Sequence, residues 1–394
     1  MHVSLSGVGA LPDVSLELEG LTVLAGINGV GKSTVLKSIY TMVESLTDID
    51  RKKDKEIGTT ISKIQRRLNF PRYDRNSHQT ALVNYGDYGE MLDSLEVMLA
   101  ENANARPEVS QLLTKARQLL DGELDEEFIE VLVKRNIMNH FGSSEEFRRL
   151  GSEAPGVIRI YNGSEHSISV LSDDTVHHTG DLSEISRIIY YDTPLVLDHS
   201  ILWPSGHRDD LSMMLRGRDD RGIIETMVDD EVSDRFMQLV NGIVPGDVTW
   251  ASRGFKYRLP DGHDIGMENM ASGMKVFSIL KTLFRNGGLG PGVILLMDEP
   301  ETHVHPMWQN TLAEIIVIMS KYMGVNILLA SHSPQLIMAI DIYSKEYGSP
   351  SRYYRLSRDS RGDVVMDDLS NDPASIISDM AAPYRTLEDI RWGD

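Results

Sequence analysis

Residues 21–34 read LTVLAGINGVGKST, and this stretch decides the fold. Leu21 to Ala25 form an apolar run of the kind buried inside a sheet. They lead directly into Gly26-Ile27-Asn28-Gly29-Val30-Gly31-Lys32-Ser33-Thr34. Val35, Leu36, Ile39, Met42 and Val43 then recur along one side of a helix. Strand, glycine loop and helix are the context a phosphate loop requires. The glycines let the backbone bend so that successive N–H groups point inward at phosphate oxygens. The helix offers its positive N-terminal end to the same anion. Lys32 supplies a mobile charge for the β- and γ-phosphates, and Ser33 a hydroxyl for Mg2+. With glycine near 7% of residues, a chain of this length matches G-x-x-x-x-G-K-[ST] by accident roughly one time in a hundred. The flanking strand and helix lower that further.

A second segment complements the first. Val293-Ile294-Leu295-Leu296-Met297 reads as another buried strand, and it ends in Asp298-Glu299. A carboxylate at the tip of an apolar strand beside a phosphate loop is where Mg2+ is managed. Asp298 is therefore expected to hold the metal, through water. Glu299, one residue on, stands where a general base would activate or orient attacking water. An apolar strand ending in an acid is common, and the pair gains meaning from the phosphate loop in the same chain.

Composition bounds the rest. A length of 394 residues exceeds one usual compact domain, so a main domain with an insertion or second lobe is expected. Hydrophobic residues at 41% and charged residues at 25% suit a soluble protein with a real core. A formal charge of −20 argues against a surface built for wholesale phosphate neutralisation, though not against a local basic groove. Without cysteine, neither disulfides nor thiolate metal sites can form, which fits the cytoplasm. Met1 to Ala10 shows no secretory signal, and the apolar runs are too short or interrupted to span a bilayer.

Residues 2–6 and 14–18 alternate like a small antiparallel pair, and 157–178 read as short strands turning at Asn162-Gly163. Residues 46–150 are dense in charge and read as a helical insertion, with runs at 61–68, 88–102, 109–120, 123–135 and 145–150. Basic residues cluster at Arg51-Lys52-Lys53 and Arg66-Arg67, with Arg72 and Arg75 nearby. They read as a solvated helix face or as a nucleic-acid or partner groove. Heptads are not sustained, so no long coiled-coil arm is expected. Arg187 to Tyr191 is another apolar strand. Residues 207–222 read as a mobile loop or helix end, 223–242 as a helix, and 247–251 and 254–259 as strands. Strands at 353–358 and 364–367 are expected to complete the second lobe.

Asp298-Glu299-Pro300-Glu301 with His303, His305 and Pro306 resembles the D-E-P-E-x-x-x-H-P run of ABC-type ATPases of the OLD/RecF/SMC-like group, often called AAA family ATPases. The phosphate loop with Asn28 and Gly29 is similar to that group too. Ser272-Gly273 before a helical run looks like its shortened signature motif. Ser331-His332-Ser333-Pro334 after an apolar strand resembles its switch-histidine segment. The four motifs stand in the family's order and cover residues 1–45 and about 245–345.

The resemblance implies an α/β ABC-type head with a mixed central sheet, an antiparallel β subdomain and a helical insertion. The head would comprise residues 1–45 and 151–394 in two lobes, with the insertion at 46–150. It further implies that two heads sandwich two ATP molecules. Gly26 to Thr34 would then hold ATP, with Ser33 and Asp298 on Mg2+. Ser272 and Gly273 would reach the γ-phosphate bound by the other head, and Lys32, Glu299 and His332 would serve catalysis. His303 and His305 belong to the loop facing that head rather than to a transition-metal site. Two departures stand out. No glutamine loop is evident, Asp192-Thr193-Pro194 being a candidate by position, and the signature lacks its second glycine and glutamine. Both weaken a transporter reading.

The function expected is an ATP-driven clamp or sensor, dimeric or higher, acting on a separate effector protein (a nuclease or toxin) or on DNA or RNA. Its setting would be phage defence or DNA maintenance, in the cytoplasm and without a membrane. No appended nuclease is expected in the stretch after residue 345. An ABC transporter subunit and a non-hydrolysing scaffold held by ATP are the alternatives. A GTPase is disfavoured because no N-K-x-D segment occurs.

Overall fold

The computed structural model describes residues 1–67, 88–101, 107–198, 206–217, 230–251 and 254–392. The chain divides into two compact units, Met1–Thr47 with Arg135–Asp394, and Asp48–Lys134.

The larger unit holds all the strands among the described residues: β1 (His2–Val8), β2 (Leu11–Glu17), β3 (Leu21–Ala25), β4 (Gly156–Tyr161), β5 (Glu165–Val170), β6 (Val176–Thr179), β7 (Arg187–Tyr191), β8 (Asp247–Ala251), β9 (Gly254–Arg258), β10 (Asp264–Gly266), β11 (Val293–Asp298), β12 (Asn326–Ser331), β13 (Ser351–Arg358) and β14 (Val364–Asp368). They form an antiparallel sheet in the order β2-β1-β4-β5-β6, a small one in the order β10-β9-β8, and a central sheet in the order β14-β13-β3-β12-β11-β7.

In the central sheet β13, β3, β12, β11 and β7 run parallel, and β14 alone is antiparallel. Parallel strands need both faces covered, so they read as continuous apolar runs. All five residues of β3 and of β7 are buried, as are the first five of β11. Helix Lys32–Leu46 buries Val35, Leu36, Ile39 and Met42, and helix Pro306–Met323 buries Leu312 through Met319 almost without interruption. Truncating one such core leucine to alanine costs roughly 2–5 kcal/mol.

Several expectations are refined here. The strands near 353 and 364 join the central sheet, with Tyr354 opposite Leu24 and Arg355 opposite Ala25 of the phosphate-loop strand. The helix expected over 145–150 spans only Ser144–Phe147. Beyond it the backbone pairs with the end of β1, where Gly9 N–H donates to the Phe147 carbonyl and Arg149 N–H to the Gly7 carbonyl. The polar stretch from 207 contains a helix, His207–Leu215, which buries Leu211, Met214 and Leu215. The helix expected over 223–242 runs from Asp230 to Asn241, and 218–229 lie outside the described residues.

Residues 135–150, expected with the insertion, fall in the larger unit. There Asn136 donates to Ser45 Oγ at 2.9 Å, and Ile137 and Phe147 are buried.

The smaller unit is helical, with helices Ile49–Arg67, Tyr88–Glu101 and Pro107–Leu120 and the first part of Asp125–Phe141. Ile57, Ile61 and Ile64, then Leu92 and Leu95, then Val109, Leu113 and Ala116 build its core at helical spacing. Several of its cations face acids. Arg51 lies 3.3 Å from Asp48, Lys53 2.7 Å from Asp125 and Arg67 3.0 Å from Glu108. Arg72 and Arg75 lie outside the described residues.

One buried base gives the larger unit an acid-sensitive element. His140 packs edge-on against Tyr40 at 4.9 Å and lies 5.1 Å from His207. Neither of its ring nitrogens has a hydrogen-bond partner among the described residues. Burial, then repulsion from His207 and Lys37, pushes its pKa down to about 3. An unfolded histidine titrates near 6.5, so between those values only the unfolded chain takes the proton. The stability this ring contributes is whole above about pH 6.5 and is lost as pH falls towards 3. The expected slope from His140 is about 1.4 kcal/mol per pH unit in that window. Urea unfolding between pH 7 and pH 5 should show a shallower loss for His140→Phe than for the parent chain. Equal slopes would place the acid sensitivity elsewhere.

Candidate nucleotide site

The strand register places the site. Ala25 of β3 is opposite Ser331 of β12, and Ala330 of β12 is opposite Asp298 of β11. Three parallel strands therefore end together, and the segments that leave them (26–34, 299–305 and 332–333) emerge at one edge of the sheet. Crevices at the carboxyl ends of parallel strands are where α/β folds hold ligands.

The first segment is shaped by backbone freedom. Gly31 has φ 100°, a conformation a side chain resists, and a Cβ there would lie 2.7 Å from the Leu11 side chain. Gly31 also caps helix Lys32–Leu46 with no side-chain bond, and the first turn carries no acid. Its leading N–H groups thus have no side-chain acceptor, unlike those of helix Pro334–Glu346, where Ser333 accepts from Leu336 N–H. Lys32 is buried, and its Nζ donates to the carbonyls of Gly26 at 2.9 Å and Ile27 at 3.1 Å. Arg358, at the end of β13, donates to the Gly29 carbonyl at 3.1 Å.

The acids lie beside it. Lys32 Nζ is 3.3 Å from Glu299 Oε1, and His332 Nδ1 is 3.3 Å from the same oxygen. Glu299 holds φ 47°, and a non-glycine residue in this left-handed region costs about 1–3 kcal/mol. Its N–H is fixed to the Ala330 carbonyl at 2.9 Å. Asp298 Oδ2 accepts from the Tyr190 hydroxyl at 3.1 Å, while its Oδ1 is buried with no hydrogen-bond partner among the described residues. Burial raises the Asp298 pKa, against the stabilising influence of Ser33, Tyr190 and Lys32. Glu301, raised likewise by burial, accepts from Ser331 Oγ at 2.6 Å and from His332 N–H at 3.1 Å.

Lys32, Ser33, Asp298, Glu299 and His332 thus come together as the motifs predict. A buried carboxylate oxygen left open beside the Ser33 hydroxyl suits a hard divalent cation, which prefers oxygen donors. The residues present therefore fit Mg2+, and Ser33 and Asp298 are the side chains that would hold it. Ser272 opens helix Ser272–Arg285, whose start also lacks a side-chain cap and an acidic first turn. Among the described residues no hydrogen bond joins Ser272 to the Lys32 and Glu299 group. Asp192, a glutamine-loop candidate by position, is already engaged. Arg208 grips both its oxygens and His207 Nε2 lies 3.0 Å away. Burial alone would raise its pKa, but His207 and Arg208 prevail and hold it at about 2. His305 caps its own helix by accepting from Met307 N–H, and no group of three metal-ligating side chains occurs among the described residues.

Sequence reading missed Tyr190 and Arg358 and gave Glu301 no role. Tyr190 stood in a run read only as an apolar strand, and its one signal is a hydroxyl in an otherwise buried strand.

Gly273 has a role that the motif did not suggest. A Cβ there would lie 2.6 Å from the His303 carbonyl, so the helix start can press on the loop after Glu299 only because residue 273 lacks a side chain. Gly273→Ala should lower the unfolding free energy by about 1–3 kcal/mol through overpacking. Denaturant melts would read this, and an unchanged midpoint would contradict the close approach.

The family model described as "AAA domain, putative AbiEii toxin, Type IV TA system" matches residues 139–339, more than half of the chain. The match includes Ser272, Gly273, Asp298, Glu299 and His332, and the phosphate loop lies ahead of it. Among solved structures, an SMC head bound to the C-winged helix domain of ScpA is 14% identical, with 95% of this chain and 98% of that chain covered and a TM-score of 0.47. The SMC head domain from Thermotoga maritima is 10% identical, with 93% and 97% covered and a TM-score of 0.40. An Smc head with an extended coiled coil, bound to the C-terminal domain of ScpA derived from Pyrococcus furiosus, is 12% identical, with 99% and 98% covered and a TM-score of 0.38. On the family match, with its phosphate loop and carboxylate pair on one edge of a mostly parallel sheet, the chain belongs to this AAA-domain family of P-loop ATPase folds.

Proposed function

We propose that this chain is a Mg2+-dependent ATPase head that works in pairs, as a clamp or sensor whose nucleotide state governs an effector. The observation that carries the reading is Glu299 Oε1, which lies 3.3 Å from both Lys32 Nζ and His332 Nδ1, beside Asp298. An acid, a mobile cation and an imidazole meeting at the mouth of a glycine loop are the parts that in-line phosphoryl transfer to water uses.

Lys32 would exchange the Gly26 and Ile27 carbonyls for phosphate oxygens, while the uncapped N–H groups of helix Lys32–Leu46 face the same anion. Ser33 and Asp298 would hold Mg2+, which supplies charge neutralisation when bound. Glu299 is suited to take a proton from water or to orient it, with His332 fixing the carboxylate and Glu301 fixing His332. Binding then does most of the work by positioning and electrostatics.

Pairing rests on separate features. Ser272 and Gly273 begin a helix whose start is as uncapped as the phosphate-loop helix, so a second copy could offer it to the γ-phosphate. Ile27 is 69% exposed in the phosphate loop and Met307 73% exposed beyond Glu299, and large apolar side chains on such loops favour burial by another surface. The effector is proposed to be a separately encoded nuclease or toxin, in a phage-defence or DNA-maintenance setting, and the family's own description names a toxin–antitoxin system. Nucleic acid is a weaker proposal, because Arg51, Lys53 and Arg67 are matched by acids. A cytoplasmic setting is proposed too. Among the described residues no helix is long and apolar enough to cross a membrane.

Glu299→Gln should bind ATP and accumulate as a nucleotide-bound dimer, with single-turnover hydrolysis slowed at least a hundredfold (about 2.7 kcal/mol). Lys32→Ala should not bind. Ser272→Arg should bind ATP as a monomer and fail to dimerise. Light scattering with a radiolabelled nucleotide reads all three, and hydrolysis by Glu299→Gln at the parent rate would remove Glu299 from the base position. ATP left intact by the parent dimer would favour a scaffold instead.

A further inference from the structure

We propose that Tyr190 is a positioning residue for Asp298, selecting which carboxylate oxygen faces the metal. The inference rests on Asp298 holding Mg2+, as argued above. Tyr190 lies on β7, opposite Leu296 of β11, so its strand runs alongside the one that ends in Asp298. It is 1% exposed, and its hydroxyl donates to Asp298 Oδ2 at 3.1 Å. A phenol buried this deeply must find an acceptor, and in a sheet of aliphatic residues it has found the one carboxylate that the site needs.

The ring is held as firmly as the hydroxyl. His207 lies against it at 4.5 Å, Tyr40 at 5.9 Å and His140 at 6.5 Å. His207 is in turn 3.0 Å from Asp192, which Arg208 grips through Nε at 3.0 Å to each oxygen. These contacts keep the ring packed where its hydroxyl meets Oδ2. With Oδ2 taken, Oδ1 is the oxygen left open, buried and with no hydrogen-bond partner among the described residues. A hydrogen bond at one oxygen narrows the carboxylate's rotation and leaves the lone pairs of the other available, which is how an outer hydrogen bond orders a metal ligand.

Tyr190→Phe removes one oxygen atom and keeps the ring. The test uses the full chain and a non-hydrolysable ATP analogue, whose affinity is measured across a Mg2+ titration and again in EDTA. Mn2+ binding is followed by electron paramagnetic resonance. Tyr190→Phe should raise the Mg2+ concentration for half-maximal effect, and the Mn2+ dissociation constant, by about 10–100-fold, and leave affinity in EDTA unchanged. Tyr40→Phe removes a hydroxyl from the same ring cluster, but one that donates to Asp210 rather than Asp298. It should leave the Mg2+ titration where it was. A titration unmoved by Tyr190→Phe, or moved equally by both variants, would overturn the proposal. Asp298→Asn separates the two readings. It should abolish the Mg2+ effect, and if it does not, the metal assignment fails and takes this inference with it.

Discussion

The structure depends on the parallel pairing of β3, β12 and β11. Because Ala25 faces Ser331 and Ala330 faces Asp298, the glycine loop, the carboxylate pair and the histidine segment start from neighbouring points. A slip of one residue along any of these strands would turn its side chains to the opposite face. Burial on both faces makes such a slip costly, since every residue of β3 and the last five of β12 are already in the core. The register that packs the aliphatic side chains is thus the same one that assembles the site.

Among the described residues, the edge of the sheet holds buried polar atoms left open, as does the His140 ring elsewhere in the larger unit. Asp298 Oδ1 and Glu301 Oε2 are buried without partners among the described residues, and Glu299 sits in a left-handed conformation. Burial raises the pKa of both Asp298 and Glu301. Such groups reduce stability, and natural folds concentrate them where function needs them. Glu299 is held in its strained conformation by its N–H bond to Ala330, so the central sheet itself keeps that carboxylate in place.

Much of this was legible in the sequence. The glycine loop, the acids after β11 and the histidine after β12 each follow an apolar run, and continuous apolar runs are what doubly covered parallel strands produce. The lattice of pairings was not legible. Which strand joins which edge depends on partners far away in sequence, so the pairing of β13 with β3 could not be read from either segment alone. Tyr190 escaped for a related reason. In Arg187 to Tyr191 a tyrosine looks like core until the neighbouring strand's last residue is known. The segment after Phe147 failed differently. Its charges fit a helix, but backbone bonding to the end of β1 prevails over local propensity there.

The two halves of the signature pair carry different weight. Gly273 is accounted for within a single chain, because the His303 carbonyl leaves no room for a side chain. Its presence would be required whether or not another head ever approached. Ser272 has no such explanation. It stands at an uncapped helix start, while helices Pro306–Met323 and Pro334–Glu346, on neighbouring segments, are capped by His305 and Ser333. Helix His207–Leu215 also starts without a side-chain cap, so a bare start alone marks no ligand, and it is only under the proposed function that the starts after Gly31 and Ala271 would meet an acceptor from outside the chain. One start follows the phosphate loop, so its acceptor is expected there. For the other, the proposal of a second copy rests on Ser272 and its uncapped helix start rather than on the glycine beside it.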